Sequence, residues 1–240
     1  MAFFKKISKT FIILKHVYIF EGNIMKFVLK FLTRLFQYVF YKIFKNSEFE
    51  LNNQRYKYFY SLFNITFTNE RSVEVPIIMD VVYNFSGKEV LEVGNVLNLY
   101  YKFEHDVVDK YEKNKGIINQ DIVDYKPGKK YDLIISISTL EHIGWDETPK
   151  ENYKILKAID NMANLLSENG LILVTFSLGY NENIDILLEE NKLRFTDIYY
   201  LKRISKDNRW KQVQFNEVKD IKYNFPYPGG NAIAIGTIKK

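Results

Sequence analysis

The sequence predicts an α/β fold: a doubly wound, mainly parallel sheet with helices on both faces, preceded by an N-terminal helical extension. Three observations carry this. An apolar run, Val90-Leu91-Glu92-Val93, stops at Gly94, and a second, Val107-Val108, stops at Asp109. A third, Tyr131-Asp132-Leu133-Ile134-Ile135-Ser136, leads into Ser138-Thr139-Leu140-Glu141-His142. From there to the C-terminus strand-like runs alternate with helical ones, the pattern of strands joined by crossover helices.

Each element has its own signal. Residues 24–45 read as an amphipathic helix: Lys26, Lys30 and Arg34 recur every four residues with Thr33, Gln37 and Tyr41 on their side, and Phe, Leu, Val and Ile fill the remainder. Residues 46–53 are polar and read as a linker. The aromatic-rich stretch 56–67 reads as a helix leading into 69–76, where Pro76 starts or interrupts a helix that continues over 77–84 toward Gly87. Strands are expected at 88–93, 105–109, 116–119 and 131–138. Residues 150–166 have helical spacing in Ile155, Leu156, Ile159, Met162, Ala163, Leu165 and Leu166, and Asn169-Gly170 closes that helix before a strand at 171–176. A helix at 183–191 and strands at 198–204 and 231–238 complete the chain. The division is an extension at 1–50 and one α/β domain at 51–240.

The 240 residues suffice for a sizeable core, and 47% hydrophobic with 26% charged residues excludes bulk disorder. Cysteine is absent, which excludes a disulfide framework, a thiolate metal site and a cysteine nucleophile, and fits a reducing compartment. The charge is uneven. Residues 1–45 carry nine Lys/Arg and one acid, a net +8; the remainder carries 25 Lys/Arg and 28 Asp/Glu, a net −3. A basic leader points to an anionic partner, and the slightly acidic body disfavours a long nucleic-acid footprint. Residues 11–20 are apolar but broken by Lys15 and His16 and lack a small-residue cleavage site, so neither a signal peptide nor a membrane span is expected there. The basic, aromatic helix at 24–45 suits a membrane interface; its apolar face packing on the chain's own body or on a second copy is the competing reading.

The chemistry concentrates at strand ends. Gly94 lets backbone approach a ligand, with Glu92 and Asn95 beside it. Val96 and Leu97 stand where a dinucleotide fingerprint has further glycines, which argues against a nicotinamide or flavin dinucleotide. An acid at Asp109 can accept from ribose hydroxyls. Asp121 can accept from an adenine amino group with Ile122 against the ring, or simply form an Asx turn. His142 is the candidate proton acceptor, because imidazole exchanges a proton near neutral pH. Glu141 and Asp146 are its candidate orienting groups, and Trp145 a candidate pocket wall. His142 and Asp146 have metal-compatible spacing, but Gly144 breaks the run and no second histidine is near, so no metal is expected. Arg71 and Glu74 read as a carboxylate clamp or, preferably, an ion pair within a helix. Arg203, Arg209 and Trp210 read as an acceptor lid or a solvated hairpin.

In order and spacing these segments resemble a class I S-adenosylmethionine-dependent methyltransferase over about residues 65–240. Val90-Leu91-Glu92-Val93-Gly94-Asn95 resembles the first motif of that family, His105–Asp109 the second, Asn119-Gln120-Asp121 the third, and Tyr131–His142 the fourth. Leu165–Leu171 is similar to the turn before the fifth strand. The resemblance implies a Rossmann-like fold and S-adenosyl-L-methionine as cofactor. It implies Glu92 facing the methionine amino group, Gly94 and Asn95 close to the cofactor, Asp109 on ribose, and Asp121 with Ile122 on adenine. Ser136 to Leu140, Ser138 among them, would form the floor near the methyl group, and His142 with Glu141 would handle the acceptor proton. The expected protein is a cytoplasmic enzyme, peripheral at the inner membrane face, methylating a small-molecule or sugar-type acceptor. A non-catalytic docked module and an RNA methyltransferase are the alternatives.

Overall fold

The computed structural model describes residues 24–45 and 47–240. The apolar stretch at 11–20 and the rest of the leader before residue 24 lie outside the described residues. The elements are α1 (Ile24–Phe44), β1 (Glu48–Leu51), β2 (Gln54–Lys57), a 3-10 segment (Phe63–Thr68), α2 (Arg71–Asn84), β3 (Val90–Val93), β4 (Asp106–Val108), β5 (Tyr131–Ile137), α3 (Lys154–Leu165), β6 (Leu166–Ser177), α4 (Glu182–Glu189), β7 (Asp197–Arg203), β8 (Trp210–Val213) and β9 (Ala232–Lys239).

The main sheet has the order β4-β3-β5-β6-β9-β7-β8. β4, β3, β5 and β6 run parallel, β9 is antiparallel to both β6 and β7, and β8 is antiparallel to β7. This is the doubly wound, mainly parallel α/β sheet. After β3 the chain moves outward to β4, then returns to lay β5 on the other side of β3. That reversal puts the switch point, where open α/β sheets bind ligands, at the carboxyl ends of β3 and β5. All four residues of β3 are buried. Leu91 and Val93 face a core shared with α3 and α4, while Val90 faces one shared with α2 and the β1–β2 hairpin.

Several elements differ from the sequence reading for identifiable reasons. Residues 48–57 form a hairpin rather than a linker. Asn52 and Asn53 adopt φ of 51° and 62°, the left-handed pair a two-residue turn needs, and Phe49 and Leu51 alternate into the core. Residues 58–68 are extended and then 3-10, with Asn64 and Ile65 left-handed at φ 55° and 47°. Pro76 lies inside α2 rather than at its start. Its missing N–H would have met Ser72 O, and that carbonyl accepts from Phe59 N at 2.8 Å instead. The strand expected at 116–119 is one parallel bridge, Val108 to Ile118. α3 starts at Lys154, because Glu151 N turns back to Gly144 O at 2.9 Å. It ends at Leu165, so Asn169-Gly170 does not close it but bulges β6, shifting its register on β5. β8 was not expected: Trp210 is buried, its indole Nε1 donating to Asn208 Oδ1 at 2.9 Å.

α1 docks on the body by the side carrying Tyr38 and Tyr41. Tyr41 packs on Phe67 at 5.3 Å and Tyr60 at 5.5 Å, and Lys45 pairs with Asp207. Much of the apolar stripe is turned away: Leu32, Phe36, Val39, Phe40 and Ile43 are exposed, while Phe31 and Leu35 are half-buried. No helix among the described residues is long and apolar enough to cross a membrane.

Candidate active site

The loop after β3 starts with a residue that only glycine can be. Gly94 has φ +84°, and a Cβ there would lie 2.2 Å from Thr139 Oγ1 at the end of β5. Val96 and Leu97, in place of further glycines, close the loop on Glu92: both backbone N–H groups donate to Glu92 Oε1 at 2.8 Å. Glu92 Oε2 pairs with His105 Nε2 at 2.7 Å, and the His105 ring stacks on Phe103. Fully buried Glu92 therefore holds the loop, and both its oxygens are engaged within the protein. Asn95 Nδ2 donates to Glu112 Oε2 at 2.8 Å.

Asp109, just past β4, accepts from Tyr111 N and Glu112 N at 2.8 Å, both on Oδ1. Its Oδ2 has no hydrogen bond among the described residues, as ribose recognition requires. Asp121 is not open in the same way. Its Oδ2 contacts Lys154 Nζ at 2.7 Å and Lys110 Nζ at 3.0 Å, and its Oδ1 accepts from Val123 N at 3.2 Å. Burial raises its pKa, but the two lysines outweigh burial and hold the carboxyl below the usual range. Glu147 bonds the same two lysines at 2.6 Å, so the expected adenine acceptor is a corner of a four-charge network. Ile122 is buried in the core, with Asn161 Nδ2 donating to its carbonyl at 2.6 Å.

At the end of β5, Ser138 adopts φ +38°, a conformation side chains rarely hold, and donates to Glu74 Oε1 at 2.6 Å. Ser138 thus faces α2 and not the switch-point cleft. The chain then turns through Leu140–His142. His142 Nδ1 lies 2.6 Å from Asp146 Oδ2, to which the Tyr180 hydroxyl also donates at 2.9 Å. Tyr180 packs edge-on to the imidazole at 4.7 Å. Glu141 does not orient His142. It is buried on the other side of the turn, where Oε1 accepts from Ser177 N at 3.0 Å. Trp145 is capped by the Lys150 ammonium, 3.4 Å from its ring centroid. Arg71 and Glu74 form the ion pair within one helix, with Glu74 fully buried. Arg203 is buried as well and donates to Thr68 O at 3.1 Å and Pro228 O at 3.2 Å, so it ties loops together rather than forming a lid.

A cleft of about 380 Å³ at the switch point is lined by Gly94, Asn95, Asp109, Asp121, Ile122 and His142, among others. It brings six of the nine expected site residues together; Glu92, Ser138 and Glu141 lie outside its lining. The donor set fits an adenosyl group: a free carboxylate oxygen for ribose hydroxyls and apolar walls from Val93, Val96 and Val108 for a base. Sequence reading missed Tyr180, which approaches only through the fold, and the Lys110–Glu147 pairing, for which no local pattern exists.

No protein-family model and no curated protein matches this chain. Among solved structures it is similar to the N-methyltransferase NodS from Bradyrhizobium japonicum WM9 in complex with S-adenosyl-L-homocysteine. Identity there is 13%, over 68% of this chain and 84% of that one, with a TM-score of 0.43. It is similar to a SAM-dependent methyltransferase from Archaeoglobus fulgidus at 16% identity, over 75% and 98%, with a TM-score of 0.45. A third similarity is to the sugar N-methyltransferase KedS8 from Streptoalloteichus sp ATCC 53650 at 14% identity, over 44% of this chain and 48% of that one, with a TM-score of 0.33. The chain thus spans about half the length of KedS8. The fold assignment rests on the strand order, parallel in β4, β3, β5 and β6 with β9 inserted antiparallel beside β6.

Proposed function

We propose that this chain is an S-adenosylmethionine-dependent methyltransferase acting on a small-molecule or sugar-type acceptor, at the cytoplasmic face of an anionic membrane. The observation that carries the reading is the convergence of Gly94, Asp109 and His142 on one cleft at the switch point. Gly94 brings backbone close to the cofactor, Asp109 Oδ2 takes the ribose hydroxyls, and Ile122 and the valines flank the base. Glu92 keeps the loop in shape. When bound, the sulfonium supplies an electrophilic methyl group. The protein's task is then alignment and proton removal. Asp146 Oδ2 accepts a hydrogen bond from the Nδ1–H of His142, so Nε2 carries the lone pair that receives a proton from the acceptor. The membrane part rests on the net +8 of residues 1–45 and the outward apolar stripe of α1.

Titration calorimetry with S-adenosylmethionine and S-adenosylhomocysteine tests the cofactor. Micromolar binding is expected, with Asp109→Ala losing roughly tenfold or more for each ribose hydrogen bond removed. No binding by a sample with a cooperative melt would sink the reading in favour of a non-catalytic module.

A further inference from the structure

The turn that carries His142 is held from outside by the end of β6 and the loop that leads on to α4. Ser177 N donates to Glu141 Oε1 at 3.0 Å, Asn181 Nδ2 donates to Glu141 O at 2.9 Å, and the Tyr180 hydroxyl reaches Asp146. The loop is fixed on both sides of Tyr180. Gly179 has φ +74°, and a Cβ there would lie 2.2 Å from Ile221 O. Its N–H donates to Asp185 Oδ2 at 3.0 Å. Asn181 is buried and caps α4, its Oδ1 accepting from Asn183 N at 2.9 Å. Tyr180 is thus aimed by its neighbours, and the Tyr223 ring packs edge-on against it at 5.1 Å.

The His142–Asp146 pair is short, at 2.6 Å, but both side chains are 43% exposed. Exposed ion pairs hold little by themselves, because water competes and the side chains rotate. Tyr180 changes that. Its one hydrogen is shared between the two oxygens of Asp146, at 2.9 Å to Oδ2 and 3.2 Å to Oδ1. A carboxylate gripped at both oxygens has its plane fixed, with Oδ2 left against His142 Nδ1. The tyrosine ring also packs edge-on to the imidazole at 4.7 Å and limits its rotation. Burial first, and the bond to Asp146 after it, push the Tyr180 hydroxyl up to about 12, so it keeps its hydrogen and remains a donor. Which imidazole nitrogen carries the proton is set by the hydrogen bond made at the other. A neutral histidine free in water mostly carries it on Nε2, the nitrogen that must stay bare here.

We propose that Tyr180 is a positioning residue: through Asp146 it fixes the His142 tautomer with the hydrogen on Nδ1 and the lone pair on Nε2. The proposal rests on the methyl-transfer reading, in which Nε2 receives the acceptor's proton. His142 and Asp146 line the cleft and Tyr180 does not, so its effect reaches the chemistry through them. When Nε2 takes the proton, the imidazolium keeps its Nδ1–H on Asp146, and no proton moves to the tyrosine.

The test reads the ring nitrogens directly. In the full chain carrying nitrogen-15-labelled histidine, the ring shifts of His142 are assigned by their loss in His142→Gln, and in the neutral ring they distinguish the protonated nitrogen from the bare one. The unaltered chain should hold the hydrogen on Nδ1. Tyr180→Phe keeps the ring contacts and removes only the hydroxyl. It should move the tautomer ratio toward Nε2–H by roughly threefold to tenfold, the contribution of one hydrogen bond. In an Asp146→Asn background the same substitution should move the ratio no further, because the two side chains act as a unit. An unchanged ratio in Tyr180→Phe would overturn the proposal, and so would an equal shift with and without the Asp146 carboxylate. A merely structural tyrosine would lower the melting temperature and leave the ratio alone. Calorimetry with S-adenosylhomocysteine on the same sample separates the two readings. Cofactor binding with an unchanged ratio keeps methyl transfer and sinks the role of Tyr180; a shifted ratio without cofactor binding keeps the tautomer control and sinks its use in methyl transfer.

Discussion

Glu92 and Glu141 are the same residue type in equally dry places, and the fold treats them oppositely. Glu92 has three donors for its two oxygens, and Glu141 has one. The difference becomes a pH dependence. Glu141 is pushed from 4.5 to about 8 by burial, so between those values the folded state holds a proton that the unfolded chain has released. Its contribution is fully present below about pH 4.5 and is lost as pH rises through about 8. In ligand-free protein, Glu141→Gln should flatten that decline, gaining on the order of a few kcal/mol at pH 9 and little at pH 5. Asp185, raised to about 6 by burial, leaves a residual slope below neutrality in the variant. Urea midpoints at the two pH values check this, and an equally steep decline in the variant would show that Glu141 is not the group responsible. Sequence made Gly94 and Asp109 legible, since each role follows from residue type and a strand end. It did not make the state of Glu92, Asp121 or Glu141 legible, because that depends on His105, Lys154 and Ser177, partners which only tertiary structure supplies.

Elements were legible where one local pattern dominated. α1 agrees with its predicted span within a residue at each end, and the central strands are the continuous apolar runs that buried parallel strands need. The β1–β2 hairpin was missed although Asn52-Asn53 carries its turn signal, because four-residue strands scarcely establish alternation. The orientation of α1 was not legible at all: periodicity defines a stripe, not what covers it. Its body contact uses tyrosines, leaving Phe36 and Phe40 outward at 72% and 41% exposure. Anionic vesicles should therefore float the full chain, and neutral ones much less. The double variant Phe36→Asp, Phe40→Asp should lose at least tenfold in vesicle affinity, since inserting one such ring contributes about 1.5–3 kcal/mol. Its melting temperature should stay unchanged, because neither ring is in the core. Equal binding to both vesicle types would remove charge from the account, and undiminished binding by the double variant would remove the stripe.

At the scale of the molecule, the division into a basic extension and an acidic body follows from charge counts alone, whereas the antiparallel insertion of β9 between β6 and β7 has no local signal. That division has a consequence for autonomy. Among the described residues, every residue lining the switch-point cleft lies between Val93 and Glu147, and the extension meets the body through Tyr38 and Tyr41 on Phe67 and Tyr60 and through Lys45 with Asp207. Aromatic contacts of this kind contribute about 0.5–1.5 kcal/mol each. A chain lacking residues 1–45 should accordingly fold and melt roughly 5 to 10 °C lower. Its affinity for S-adenosylhomocysteine should stay within about threefold, because no cofactor-facing group is removed. Its attraction to anionic vesicles should vanish, since the remaining body carries a net −3. Scanning calorimetry, titration calorimetry and flotation on the one truncated protein read all three. A shortened chain that fails to fold, or that loses cofactor affinity more than tenfold, would make the extension part of the α/β domain. The Phe67 face uncovered by the truncation would then be the first place to look, because α1 packs on a ring that is completely buried in the full chain.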